Sequence, residues 1–394
     1  MKAKNAADSR ISFKLQVMKR SRCCILLALV CSLGGCASQE PQTQAAKEVP
    51  KSPALAGMPA VLDPSDIYAA DHAGNLSPVV RDFPARIYVP NSGSNTVDII
   101  DPATYKIIGH FPVGKQPQHV VPAYDLKRLW VLNDLGDSVT EIDPATGHKG
   151  ETLPVEDPYN MYFTPDGKYA IVVAEAKQRL DFRDAQTMKM VDSVKVDCKG
   201  VDHMDFTADG RFLIASCEFA AELIKVDVAN RKVIGSITLE KGGMPQDVKT
   251  SPDGKVFYVA DMMANGIYLI EPDSFSRIGF MPTGKGTHGL YVSRDSKVLY
   301  ISNRGEGSIT ILDLATRKPV KKWLIPHGGS PDMGGVSADG KVLWLSGRYN
   351  AEVYAFDTSD GHLLARIKVG KGPHGLSVFP QPGRYSLGHT GVFR

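Results

Sequence analysis

SPDGKVFYVAD, residues 251–261, is a polar turn followed by an apolar run rich in β-branched and aromatic residues. The Asp-Gly pair marks a tight turn: Gly takes the left-handed conformation and Asp bonds back to its own backbone. The run after it has the chemistry of a strand. The pattern returns as TPDGKY (164–169), TADGRF (207–212), SRDSKV (293–298) and SADGKV (337–342), and more loosely as AYDLKR (123–128). Asp125, Asp166, Asp209, Asp253, Asp295 and Asp339 stand 41 to 44 residues apart. Each turn and strand leads to a second run, such as TVDIIDPAT (96–104) or SITILDLAT (308–316), and then to a third, such as KIIGHFPVG (106–114). Helical periodicity is absent. Four short strands in a repeat of about 42 residues predict an all-β chain built of propeller blades. One four-stranded sheet cannot bury both its faces, and radial packing supplies the missing partners.

The count closes at seven. Inner strands begin near residues 119, 160, 203, 247, 289, 334 and 375, and sets of three outer strands near 86, 128, 169, 212, 256, 298 and 342. The first set has no inner strand before it, and the last inner strand, GLSVF (375–379), has no outer strands after it. The expectation is a seven-bladed β-propeller with four antiparallel strands per blade over residues 85–380. The C-terminal inner strand joins the N-terminal outer three, so no sheet edge stays open.

The runs IYVPN, FYVAD and LYISN, each followed by a polar turn and a TVDIIDPAT-like segment, resemble the YVTN-repeat, YncE-like propellers of the bacterial envelope. The resemblance covers about residues 85–380. It implies the fold and leaves the activity open, because one scaffold hosts many functions. Envelope binding proteins, sugar-lactone hydrolases and haem d1-associated proteins share the shape.

The N-terminus predicts export. Lys19, Arg20 and Arg22 precede the short apolar run CCILLALVCSL (23–33), a signal peptide over residues 1–35. Met18 offers an alternative start. Leu33-Gly34-Gly35-Cys36 resembles the bacterial lipobox, which implies a lipid on Cys36. Ala37 after it, by the same resemblance, implies the outer membrane, and so a periplasmic, lipid-anchored protein. Residues 36–60 read as a polar tether, 61–84 as an N-terminal extension and 381–394 as a tail. The formal charge of +3 belongs to the leader; without residues 1–35 the chain has 39 basic and 42 acidic residues. No basic field for nucleic acid remains. Cys198 and Cys217 persist after export as a disulfide candidate.

In a propeller blade the loop into the inner strand and the turn between the second and third strands share one rim. PQHVVPA (117–123), VDHMDFT (201–207), THGLYVS (287–293) and PHGLSVF (373–379) place histidines at that rim. The candidate site is His119, His203, Asp247, His288, Asp332 and His374, with Arg304 and Arg348 from neighbouring turns. Strict alternation along a strand splits the histidines, His288 and His374 facing one way and His119 and His203 the other. A strand-leading histidine can equally tie one blade's backbone to the next. Neighbouring His203, Asp247 and His288 form the candidate metal set, for a divalent or copper-like ion. Arg304 and Arg348 are suited to clamp a carboxylate or phosphate. Asp134, Glu175 and Glu218 occupy matching turns, whereas the Asp-Gly aspartates are turn formers.

Motifs for covalent haem attachment, nucleotide loops, nucleophile elbows and calcium loops are absent from the sequence. The reading is a monomeric, non-enzymatic envelope lipoprotein that binds a small anionic ligand or an envelope protein partner at its rim. Two alternatives stand beside it: a lactonase-type hydrolase, and a metal or haem-related tetrapyrrole binder.

Overall fold

A computed structural model describes residues 53–389 and 393–394. The signal peptide, Cys36 and most of the tether lie outside the described residues. Twenty-eight strands form seven four-stranded antiparallel sheets. Blade 1 is Arg86–Asn91, Thr96–Asp101 and Lys106–Pro112 with Ser377–Phe379 as its inner strand. That closure pairs Arg86 with Phe379, Ile87 with Val378 and Tyr88 with Ser377. The inner strands of blades 2 to 7 are Pro117–Pro122, Asn160–Phe163, Val201–Phe206, Pro245–Thr250, Thr287–Val292 and Pro331–Val336.

Burial follows from the ring. Inner strands such as Val201–Phe206 are buried throughout, whereas the outermost strand Lys318–Leu324 is almost wholly exposed. The apolar clusters lie between blades: Ile214, Leu223 and Leu239 of blade 4 pack on Val248, Phe257 and Tyr268 of blade 5. At the seam, Trp344 and Val353 of blade 7 pack on Ile87 and Leu376 of blade 1. Each blade therefore completes its neighbour's core.

The two ends of the propeller are built differently. At the lower end the aspartates make the turns. Asp253 Oδ1 accepts from Ser251 Oγ (2.6 Å) and the Lys255 N–H (3.1 Å), and Asp209, Asp295 and Asp339 repeat the arrangement. The N-terminal extension covers this end. The Ile67 N–H donates to Pro252 O (2.8 Å) and Tyr68 Oη to Thr250 O (2.8 Å). Docking begins before residue 61: Leu55 is buried and its N–H donates to Asp209 O (2.9 Å). The tether therefore ends earlier than its polar composition predicts, because Leu55 and Met58 find apolar partners in the blade 3–4 core.

The tail does not cap an outer surface but threads the channel. The Phe163 N–H donates to Leu387 O (2.9 Å) and the His389 N–H to Met161 O (3.1 Å), so the tail runs beside the inner strand of blade 3. Gly388 adopts φ +94°, and a Cβ there would stand 2.5 Å from Met161 O, so no other residue fits.

Candidate functional site

At the upper end, main-chain bonds fix the rim. N–H groups of Ser92, Asp134, Glu218, Met262 and Arg304 donate to carbonyls of Gly372, Gln116, Gly200, Met244 and Gly286. Each bond ties the turn after a blade's second strand to the loop feeding its own inner strand. The residues at this turn position, read around the ring, are Ser92, Asp134, Glu175, Glu218, Met262, Arg304 and Arg348. An acidic arc thus faces a basic one. Burial, then Glu218 and Asp134, push the Glu175 carboxyl up to about 7. Burial, then Asp157, push Asp134 up to about 6. Beyond these residues Leu135, Phe219, Met263 and Tyr349 form exposed apolar crests. The Arg304 guanidinium lies 5.3 Å over the Tyr349 ring.

Below the rim, the histidines come together. His119 lies 4.8 Å from His374 and 5.7 Å from His203 between ring centres; His288 lies 6.0 Å from His374 and 6.2 Å from His203. All four are buried. The split that alternation predicts does not occur, because the inner strands carry a β-bulge at this level. Thr287 pairs with Asn303 but Leu290 with Ile301, so His288 and Gly289 lie opposite the single residue Ser302. The same shift sets Asp202 and His203 opposite Ser216, and Asp332 and Met333 opposite Ser346. The serines hold the bulges: the N–H groups of His203, Gly289 and Met333 donate to Ser216, Ser302 and Ser346 Oγ (3.1, 2.8 and 3.3 Å). Gly375 gives His119 its space, since a Cβ there would fall on His119 Nδ1.

His389 completes the group and was not foreseen. Its ring lies 4.6 Å from His203 and 5.0 Å from His119. The candidate metal set changes accordingly. His203 and Asp247 gather with His389, and His288 gathers with Asp332 and His374, the donor atoms of each triad within 4.8 Å of one another. The tail fills the position beside His203, so His288 serves the next pair of blades.

Arg304 and Arg348 converge as expected, but on a carboxylate of the protein itself. Arg304 Nη1 lies 3.1 Å from Asp332 Oδ1 and Arg348 Nη1 3.9 Å from Oδ2. Asp332 also faces His288 Nδ1 (3.1 Å) and His374 Nε2 (3.6 Å). Burial raises the Asp332 carboxyl, against the pull of Arg304 and then Arg348. Burial also drives His119, His288, His374 and His389 well below the ordinary imidazole range, and His203 to about 3, so the rings are neutral donors at neutral pH. Glu218 feels both arginines and Gln246, whereas Glu175 couples to the other acids; His203 lies beneath.

The channel is blind. Under the histidines, Arg394 lies 4.6 Å over the Tyr68 ring and 3.3 Å from Asp205 Oδ1. Asp205 Oδ2 accepts from the Thr250 N–H (2.8 Å). Cys198 and Cys217 form a disulfide with Cα atoms 5.9 Å apart, tying the loop before Asp202 to the strand before Glu218.

Residues 53–383 match the family described as YNCE-like beta-propeller. The chain is 25% identical over 322 residues to dihydro-heme d1 dehydrogenase of Pseudomonas aeruginosa, covering 76% of this chain and 63% of that protein. It is 28% identical over 165 residues to antigen Lp49 of Leptospira interrogans, covering 36% of this chain and 35% of that one. The chain thus spans less than two thirds of these curated relatives. Among solved structures, the periplasmic gluconolactonase of Pseudomonas aeruginosa superposes with a TM-score of 0.64 at 17% identity, over 76% of this chain and 99% of that one. At that identity the likeness speaks for the fold.

Proposed function

We propose that this chain, which belongs to the YNCE-like beta-propeller family, is a non-enzymatic ligand-binding protein of the cell envelope, taking an amphipathic anion at its rim. The observation that carries the reading is the order of residues around the mouth. Arg304 and Arg348 sit together on one side, Asp134, Glu175 and Glu218 on the other, with apolar crests above. Arg348 is the freer arginine, its side chain 23% exposed and its contact with Asp332 the longer. An apolar ligand body rests on Phe219, Met263 and Tyr349. Its carboxylates or phosphates turn toward the arginines and away from the acidic arc. A flat tetrapyrrole with acidic edge groups has this chemistry, and a relative of this chain is a dihydro-heme d1 dehydrogenase. The leader and Cys36 support export and lipid anchoring in the periplasm, at the outer membrane.

The test is titration of the purified protein with iron protoporphyrin and with metal-free porphyrin, read by absorbance and fluorescence. Saturable binding is expected, weakened about tenfold by Arg348→Ala and by Phe219→Ala, the size of a single well-placed contact. Binding that never saturates, or that neither variant weakens, refutes the reading. Turnover of a sugar lactone that Arg348→Ala abolishes would replace it with the hydrolase.

A further inference from the structure

We propose that the channel, below the rim, holds one divalent first-row transition-metal ion bound by His203, Asp247 and His389, with His119 as a further donor. The three side chains come from two inner strands and the tail, and their donor atoms lie within 4.8 Å of one another. Around a metal about 2.0–2.2 Å from each donor, such atoms stand roughly 3.4 Å apart, so the set closes by up to about 1.4 Å on binding. His119 is the independent observation. It is fully buried, neither ring nitrogen has a hydrogen-bond partner among the described residues, and its ring lies 5.0 Å from His389 and 5.7 Å from His203. A buried imidazole with both nitrogens unsatisfied is costly unless something else meets them.

The surroundings are built to hold the ligands in place. Asp247 Oδ1 and Oδ2 accept from the N–H groups of Val248 (3.0 Å) and Leu290 (2.8 Å). Asn160 stands between the two rings, its Nδ2 3.1 Å from His203 Nδ1 and 3.3 Å from His389 Nδ1, and so limits how far either can turn. Charge favours a cation here. Arg394, the guanidinium beneath the site, is already paired with Asp205 at 3.3 Å. The neighbouring triad of His288, Asp332 and His374 is a poorer host, because Asp332 already faces two guanidiniums. Imidazole with carboxylate suits zinc or copper(II). Because His389 lies on the tail, the ion would pin the tail inside the channel.

The site is closed from solvent, so zinc, copper and cobalt are supplied during expression of the full chain, and metal is counted after exhaustive dialysis. The expected result is about one ion per chain, and cobalt bands of the intensity that four- or five-coordinate sites give. His203→Ala and His389→Ala should each hold less than about a tenth of that, while His362→Ala, at the exposed set of Asp357, Asp360 and His362, keeps it. Circular dichroism checks the folds. Should either alanine variant misfold, Asp247→Asn and the wild-type cobalt spectrum decide. A metal-free wild type, full occupancy in folded His203→Ala and His389→Ala variants, or loss only in His362→Ala overturns the proposal. So does an octahedral cobalt spectrum in the wild type. The rim ligand plays no part in these readouts, so the two proposals stand or fall separately.

Discussion

Replacing Arg304 with Met isolates the central ion pair. Asp332 is fully buried, and Arg304 is its closest guanidinium at 3.1 Å, with Arg348 at 3.9 Å. Methionine keeps most of the volume and removes the charge, leaving a buried carboxylate with a weaker partner. Removing one member of such a pair costs about 3–5 kcal/mol. The cost has a pH signature. Asp332 already has a raised pKa from burial, and losing Arg304, the largest downward influence, raises it further. A raised folded-state pKa means that the protonated acid is favoured in the fold. That contribution is complete below the unfolded pKa and is lost as pH rises through the folded one. The deficit of Arg304→Met should therefore be largest at pH 8 and shrink to about 1–2 kcal/mol at pH 5, where Asp332 can take a proton.

Urea unfolding at both pH values measures this, with the disulfide intact. The double variant Arg304→Met, Asp332→Asn closes the cycle and should recover more than half of the loss at pH 8, because the uncompensated charge is gone. An equal deficit at pH 5 and pH 8 would show that lost packing, not the stranded carboxylate, dominates. No deficit at all would mean that Arg348 and the two histidines suffice to hold Asp332.

Three further outcomes follow from the same geometry. Cys198→Ser with Cys217→Ser should lower stability by about 3 kcal/mol, the cost expected for opening a loop of this size, and wild type in reductant should match it in melting temperature. Glu175 titrates near 7, so its ionisation opposes folding as pH climbs from about 4.5 through 7. Glu175→Gln should therefore exceed wild type by ~1 kcal/mol at pH 8.5, after discounting for partial exposure, with the gap gone near pH 4. Gly375→Ala should cost about 1–3 kcal/mol by driving a methyl into the His119 ring, whereas Gly335→Ala, whose Cβ finds its nearest neighbour at 3.5 Å, should melt like wild type.

How far the sequence reaches depends on the range of the interaction that writes the feature. The blades were legible because their signals are local: an Asp-Gly turn needs only its own four residues, and a strand its own alternation. Closure was legible because one unpaired inner strand and three unpaired outer strands remained. The histidine cluster was not, because a bulge breaks the alternation from which facing is read. A signal for it exists: Ser216, Ser302 and Ser346 interrupt apolar second strands at one repeat position, and a hydroxyl there is what a bulged partner needs. His389 lies outside the repeat and had no periodic neighbour to place it. Its marker is Gly388, which the close approach to Met161 demands. Leu55 was likewise hidden, because the short run PALAGMPAVL (53–62) has neither strand nor helix periodicity and its partner Asp209 is about 150 residues away.

The repeat also explains why the site can be so irregular. At the turn after the second strand, five of the seven blades make the same N–H bond to the loop feeding the inner strand, whether the side chain is Ser92, Asp134, Glu218, Met262 or Arg304. That bond uses only main-chain atoms; where a side chain is constrained here, as Arg304 is, the constraint comes from its own contacts, such as that with Asp332. Substitution at the exposed crest residues Leu135, Phe219, Met263 and Tyr349 should leave stability within about half a kcal/mol while changing the surface of the mouth. Once the chain enters the inner strand the freedom ends. Asp332, His119 and His203 have neither solvent nor spare volume, and each change there must be answered by another blade or by the tail. The two layers of this end of the propeller therefore carry different constraints. The rim is free to change its charge and shape, while the channel beneath is held as one unit by the inner strands, the N-terminal extension and the tail.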